Sequence, residues 1–224
     1  MNDERLRAHA AAARRDEPGI VRYRAPTRIN HWIVAISFVL VALSGLSLFH
    51  PALFPLTALF GGGPWTRILH PFIGLVMVVA FVFLAARMWR DNFLTRSDVA
   101  WLRDMPDVLH NRDDKLPPVG RFNAGQKLLF WSIIGCLSML LLSGIVIWRA
   151  YFSHYFPIGV IRLSAVAHAL FGCVLVCAIV VHIYAAIWIK GSVRAMTRGK
   201  VSYGWARKHH RLWFRQVMRG DGRD

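Results

Sequence analysis

Residues 163–189, LSAVAHALFGCVLVCAIVVHIYAAIWI, run without a single Asp, Glu, Lys or Arg. A bilayer core takes about 20 helical residues, so this stretch reads as a transmembrane helix. It nevertheless carries two histidines, His168 and His182. An ionisable side chain is expensive inside a membrane and marks a functional site there. Fourteen residues of helix rise ~21 Å and end about 40° short of four turns. The two imidazoles therefore share one face at two depths, which suits two stacked cofactors, one in each leaflet.

Three further stretches lack charged residues over a comparable length: 29–49, 68–86 and 128–148. With 55% of the 224 residues hydrophobic, the chain reads as all-α, an integral-membrane four-helix bundle. The longest polar connection, 87–127, mixes acids and bases with Pro106, Pro117 and Pro118, and no separate soluble domain is expected there. No internal repeat is evident. Residues 1–19 are polar and charged, and Ala10–Ala13 is too short for the apolar core of a signal sequence. They are expected to form a flexible or peripheral arm, followed by a membrane domain over 20–204. The tail, 205–224, mixes Arg207, Lys208, Arg211 and Arg215 with Trp205, Leu212, Trp213, Phe214 and Val217. It reads as a basic amphipathic cytoplasmic tail, a short helix at the membrane surface, with contact to a partner subunit as the alternative.

Charge placement sets the orientation. Of 28 Lys and Arg, seven fall in residues 1–28, eight in 87–127 and ten in 190–224. Only Arg67, Arg149 and Arg162 serve the other two connections. The positive-inside rule puts both termini and the middle loop in the cytoplasm of a bacterial inner membrane. The net charge of +16 is then juxtamembrane, facing anionic lipid, and nucleic acid is not the expected partner.

Topology sorts the histidines. His31 opens the first span and His182 lies toward the end of the fourth, both near the cytoplasm. His70 opens the second span and His168 lies near the start of the fourth, both toward the opposite face. Two axial imidazoles saturate a haem iron and favour electron transfer over oxygen chemistry. The competing reading makes each histidine a hydrogen-bonded polar group between helices, but the sorting into two depth-matched pairs favours two b haems. Cys136, Cys173 and Cys177 read as small hydrophobes, and without Cys-x-x-Cys-His covalent haem attachment is not indicated.

Glycines follow the histidines. His70-Pro-Phe-Ile-Gly74 and His168-Ala-Leu-Phe-Gly172 repeat one spacing, Gly45 lies fourteen residues after His31, and Gly144 is on the third span. A missing side chain lets a flat macrocycle approach; small-residue helix packing is the alternative. Ahead of the third span, Asn123 and Gln126 offer donors and acceptors and Gly125 leaves room for a ring. With His182 they form a candidate quinone site; otherwise Asn123 is simply a helix cap.

Several motifs carry a specific resemblance. Arg22-Tyr-Arg-Ala-Pro-Thr-Arg-Ile-Asn-His-Trp32, Arg67-Ile-Leu-His-Pro-Phe-Ile-Gly74 and Gly120-Arg-Phe-Asn-Ala-Gly-Gln-Lys127 are three of them. Ser143-Gly-Ile-Val-Ile-Trp-Arg149, His182-Ile-Tyr-Ala-Ala-Ile-Trp-Ile-Lys-Gly191 and Ala206-Arg-Lys-His-His210 complete the set. In this order and spacing they resemble the cytochrome b (gamma) subunits of membrane-bound respiratory formate dehydrogenases, over residues 20–215. Ala169 stands where that family often has Ser, which puts no ligand in doubt. The resemblance implies that His31, His70, His168 and His182 are the axial ligands of two b haems. It implies a quinone pocket at Asn123, Gly125, Gln126 and His182. It further implies a membrane-anchor and electron-transfer role in a quinone-reducing respiratory enzyme complex. The partners would be an iron–sulfur subunit and a catalytic subunit with molybdenum or tungsten, where formate oxidation takes place. It leaves room for a higher oligomer of the complex. A cytochrome b subunit for another donor, such as a hydrogenase or a sulfur-compound reductase, is the nearest alternative. A haem-free anchor or transporter is the more distant one.

Overall fold

The computed structural model describes residues 19–109 and 117–220. Most of the arm expected over 1–19 lies outside the described residues. The described residues fall into two compact units, one of residues 25–93 and 125–189, the other of the remaining described residues.

The first unit holds the four spans. Helix α1 is Ala25–Phe49, α2 Gly63–Met88, α5 Ala124–Ile147 and α6 Ile158–Trp188. All four are long and apolar enough to cross a membrane. Each begins several residues earlier than the uncharged stretches predict. The helices run through Arg28, Arg67, Lys127 and Arg162 instead of stopping at them. Proline explains two of the starts: Pro64 occupies the first turn of α2 and Pro157 caps α6. It needs no donor there and its fixed φ suits helix entry. Between α1 and α2 the chain winds as a 3-10 helix, Pro51–Phe60. The His50 ring accepts the Ala52 N–H, and Gly61 closes the turn at φ 85°, a left-handed conformation glycine adopts without strain.

Helix α1 buries small polar groups while leaving many of its large apolar ones outside. The buried residues of α1 are Ser37, Ser44 and Ser47, whereas Ile29, Ile36, Val39 and Phe49 are exposed. Lipid tails are as apolar as leucine, so helices associate in membranes through close approach of small residues and local hydrogen bonds. Ser47 donates to the Ser44 carbonyl and Thr66 to that of Gly62. The apolar core is narrow: Met77, Phe81 and Ala85 of α2 meet Phe130, Cys136 and Leu137 of α5 and Leu175 of α6, with Val34, Phe38 and Val41 of α1 against them.

At the end of α2, a short 3-10 turn, Trp89–Asn92, leaves carbonyls without helical partners. Residues of α5 satisfy them. Trp131 Nε1 donates to the Asn92 carbonyl at 3.0 Å and the buried Lys127 ammonium to that of Phe93 at 3.1 Å. A charge-assisted bond of this kind contributes roughly 1.5–3 kcal/mol. Trp89 stacks edge-on against Trp131 at 5.0 Å, an aromatic group typical of a membrane interface.

The second unit joins distant parts of the chain. Strand β1, Gly19–Val21, pairs antiparallel with β2, Lys200–Ser202, with Ile20 opposite Val201. It also contains α3, Arg96–Arg103; α4, Met105–Leu109; α7, Ser192–Thr197; α8, Tyr203–His209; and α9, Arg211–Met218. Thr95 and Asp98 form a reciprocal capping box on α3, which satisfies two orphan N-terminal donors. Ile20, Ala195, Val201, Ala206 and Trp213 make the core. Arg22, 3% exposed, lies 4.3 Å from the Trp213 ring centroid and donates to the Arg121 carbonyl. A guanidinium desolvated against an indole gains about 2 kcal/mol from the ring quadrupole. His210 Nδ1 donates to the Gly120 carbonyl at 2.8 Å. Burial, reinforced by the Arg22 charge, pushes its pKa down to about 3, so this ring is neutral.

Candidate cofactor site in the helix bundle

The four histidines meet in two pairs. His31 of α1 stands against His182 of α6, ring centroids 6.5 Å apart and planes inclined at 57°. His70 of α2 stands against His168 of α6 at 6.2 Å and 68°. Two imidazoles on opposite sides of one metal, with bonds of ~2 Å, have centroids ~6 Å apart. Both pairs have that separation. Among the described residues no group of three or more His, Cys, Asp or Glu converges. Each pair thus offers two donors, the number a haem iron leaves open to the protein.

Hydrogen bonds define the free nitrogen on one pair. Ser44 Oγ donates to the Val41 carbonyl at 3.1 Å and lies 2.8 Å from His70 Nδ1. Its one proton is committed to the backbone, so it accepts from Nδ1–H. Ser143 Oγ donates to the Met139 carbonyl at 2.6 Å and lies 3.0 Å from His168 Nδ1, with the same consequence. In both rings the proton sits on Nδ1 and the Nε2 lone pair is left for a metal. The other pair differs: His31 Nδ1 is buried and has no hydrogen-bond partner among the described residues. Sequence reasoning missed both serines. A serine in a membrane helix ordinarily bonds back one turn, and nothing local signals a second bond across helices.

The glycines play a more specific part than expected. A Cβ on Gly45 would lie 3.1 Å from His70 Cε1, and one on Gly144 would lie 3.3 Å from His168 Cε1. These two residues make room for the imidazoles themselves. Beside Gly74 nothing lies within 4 Å of a Cβ position, and beside Gly172 only Leu140 does, at 3.9 Å. Of the candidate quinone residues, Asn123 directly precedes α5 and Gly125 and Gln126 lie in its first turn, with Gln126 exposed. His182 sits six residues before the end of α6.

Four membrane-length helices, three of which present paired histidines to one another, each pair with two ring nitrogens to offer, define a multi-pass membrane protein of the cytochrome b class. The family model described as prokaryotic cytochrome b561 matches residues 22–199, and the chain belongs to that family, whose cofactor is haem b. It is 45% identical over 204 residues to the formate dehydrogenase, nitrate-inducible, cytochrome b556(Fdn) subunit of Escherichia coli K12, covering 91% of this chain and 94% of that one. The formate dehydrogenase cytochrome b556(fdo) subunit of the same strain is 44% identical over 200 residues, covering 89% and 94%. The formate dehydrogenase cytochrome b556 subunit of Haemophilus influenzae is 39% identical over 199 residues, covering 89% and 84%.

Proposed function

We propose that this chain is the membrane anchor and electron-transfer subunit of a formate dehydrogenase complex. It conducts electrons across the bacterial inner membrane from an iron–sulfur subunit to quinone. One observation carries the reading: two histidine pairs, each at the spacing of a six-coordinate iron, lie in a chain of this family. Bound haem supplies one-electron redox chemistry. His70 and His168 would hold one haem through Nε2, and His31 and His182 would hold the other; a group held by two imidazoles would carry electrons without offering a site to oxygen.

The basic segments around residues 1–28, 87–127 and 190–224 support a cytoplasmic location for both termini. His31 and His182 then lie toward the cytoplasm and His70 and His168 toward the periplasm. Formate oxidation belongs to a separate molybdenum- or tungsten-containing subunit, because this chain has no cysteine cluster or phosphate-binding loop for it. Asn123 and Gln126 hydrogen-bond the quinone carbonyls, Gly125 leaves room for the ring, and His182 lies on the same side. Quinone there takes protons from the cytoplasm, with no carboxylate needed inside the spans. Purification of the intact complex, with its subunits identified by mass spectrometry, tests the assignment. Co-purification with a formate-oxidising subunit supports it; a hydrogenase or sulfur-compound reductase subunit in that place overturns the donor.

A further inference from the structure

The two helix pairs of the bundle use one device. Ser44-Gly45 of α1 stands against His70 of α2, and Ser143-Gly144 of α5 stands against His168 of α6. The serine-to-histidine separations are 26 and 25 residues. In each case the glycine admits the ring and the preceding serine accepts the hydrogen bond of its Nδ1–H. Ser44 is fully buried and Ser143 6% exposed, so water does not compete for either bond.

We infer that Ser44 and Ser143 are positioning residues that orient His70 and His168 and lower the reduction potential of the iron those two histidines hold. The inference rests on the ligand pairing proposed above. A hydrogen-bond acceptor on the distal nitrogen fixes the tautomer and raises the basicity of the ligating one. A more basic axial ligand favours the ferric state. Both ligands of this iron carry such an acceptor. On the other iron, His31 Nδ1 has none among the described residues. On this contrast the group held by His70 and His168 would have its potential lowered relative to the one held by His31 and His182.

Redox titration of the intact complex, followed through its b-type absorbance, tests this. Ser44→Ala and Ser143→Ala should each retain both haems and raise the midpoint of one and the same component, leaving the second unmoved. Ser44→Cys and Ser143→Cys should raise it less, because sulfur is a weak but real acceptor. Unchanged midpoints in both alanine variants, or equal movement of both components, would overturn the inference. If the alanine variants lose haem, the near-isosteric cysteine variants decide. A retained haem with a raised midpoint supports the tuning role; an unmoved midpoint, or loss of haem there too, overturns it. Movement of different components by the two serine variants would instead sink the ligand pairing itself.

Discussion

Gly45 on α1 faces His70 on α2 so closely that a Cβ would stand 3.1 Å from the imidazole Cε1. The contact is with a ring held by its own hydrogen bond to Ser44, so the neighbour cannot swing aside without breaking that bond. Overpacking a closed site of this kind costs about 1–3 kcal/mol. Gly45→Ala should therefore weaken haem retention at the His70–His168 site. Gly144→Ala, with 3.3 Å to His168 Cε1, should do so less. Haem content after mild heating checks both. Equal haem retention in Gly45→Ala and the parent would show that the ring has slack the structure does not contain.

The proposed orientation rests on the basic segments. A reporter active only in the periplasm should be active when fused at Gly62, between α1 and α2, and silent at Asp107. Activity at Asp107 with silence at Gly62 would invert the bundle and exchange the sides assigned to the two histidine pairs.

His210 gives the second unit a pH dependence. Its folded pKa is depressed to about 3 by burial, with the Arg22 charge adding to it, while an unfolded histidine titrates near 6.5. The unfolded chain therefore binds the extra proton first. Stability is complete above about pH 6.5 and is lost as pH falls toward 3, at no more than ~1.4 kcal/mol per pH unit. The protection factors of the Val201 and Trp213 amides, which correct for the slower intrinsic exchange in acid, should fall over that window. His210→Gln should flatten the dependence; an unchanged slope in that variant would assign it to another group.

Asn123→Ala and Gln126→Ala should slow quinone reduction about tenfold each, the effect of losing one hydrogen bond of ~1.4 kcal/mol. Reduction of the b-type absorbance by the donor should persist in both. Normal quinone turnover and inhibitor sensitivity in both variants would move the site to the opposite leaflet.

The bundle was legible in the sequence because a charge-free stretch of 20 residues has few other meanings, and because histidines inside such stretches stand out. Helix ends were less legible. Arg28, Arg67 and Arg162 lie in the first two turns of their helices, where a charged head still reaches the interface, and Lys127 turns inward to the Phe93 carbonyl. The pairing of residues 19–21 with 200–202 left no trace, since three-residue strands are too short to show alternation and their partners are far apart in the chain. The burial of Arg22 against Trp213 was invisible for a related reason: a lone arginine reads as solvated until the surrounding aromatic residues are assembled. Ser44 and Ser143 were missed because their role lies in a bond between helices, whereas sequence periodicity reports only faces.

The most direct measurement is the haem b content of the purified complex, per copy of this chain, in the parent and in the four histidine variants. The parent should carry two. His70→Ala and His168→Ala should each lose one, and the same spectral component, while His31→Ala and His182→Ala should each lose the other. A parent with a single haem, or loss of one shared component from His31→Ala and His168→Ala, would contradict the two-site bundle.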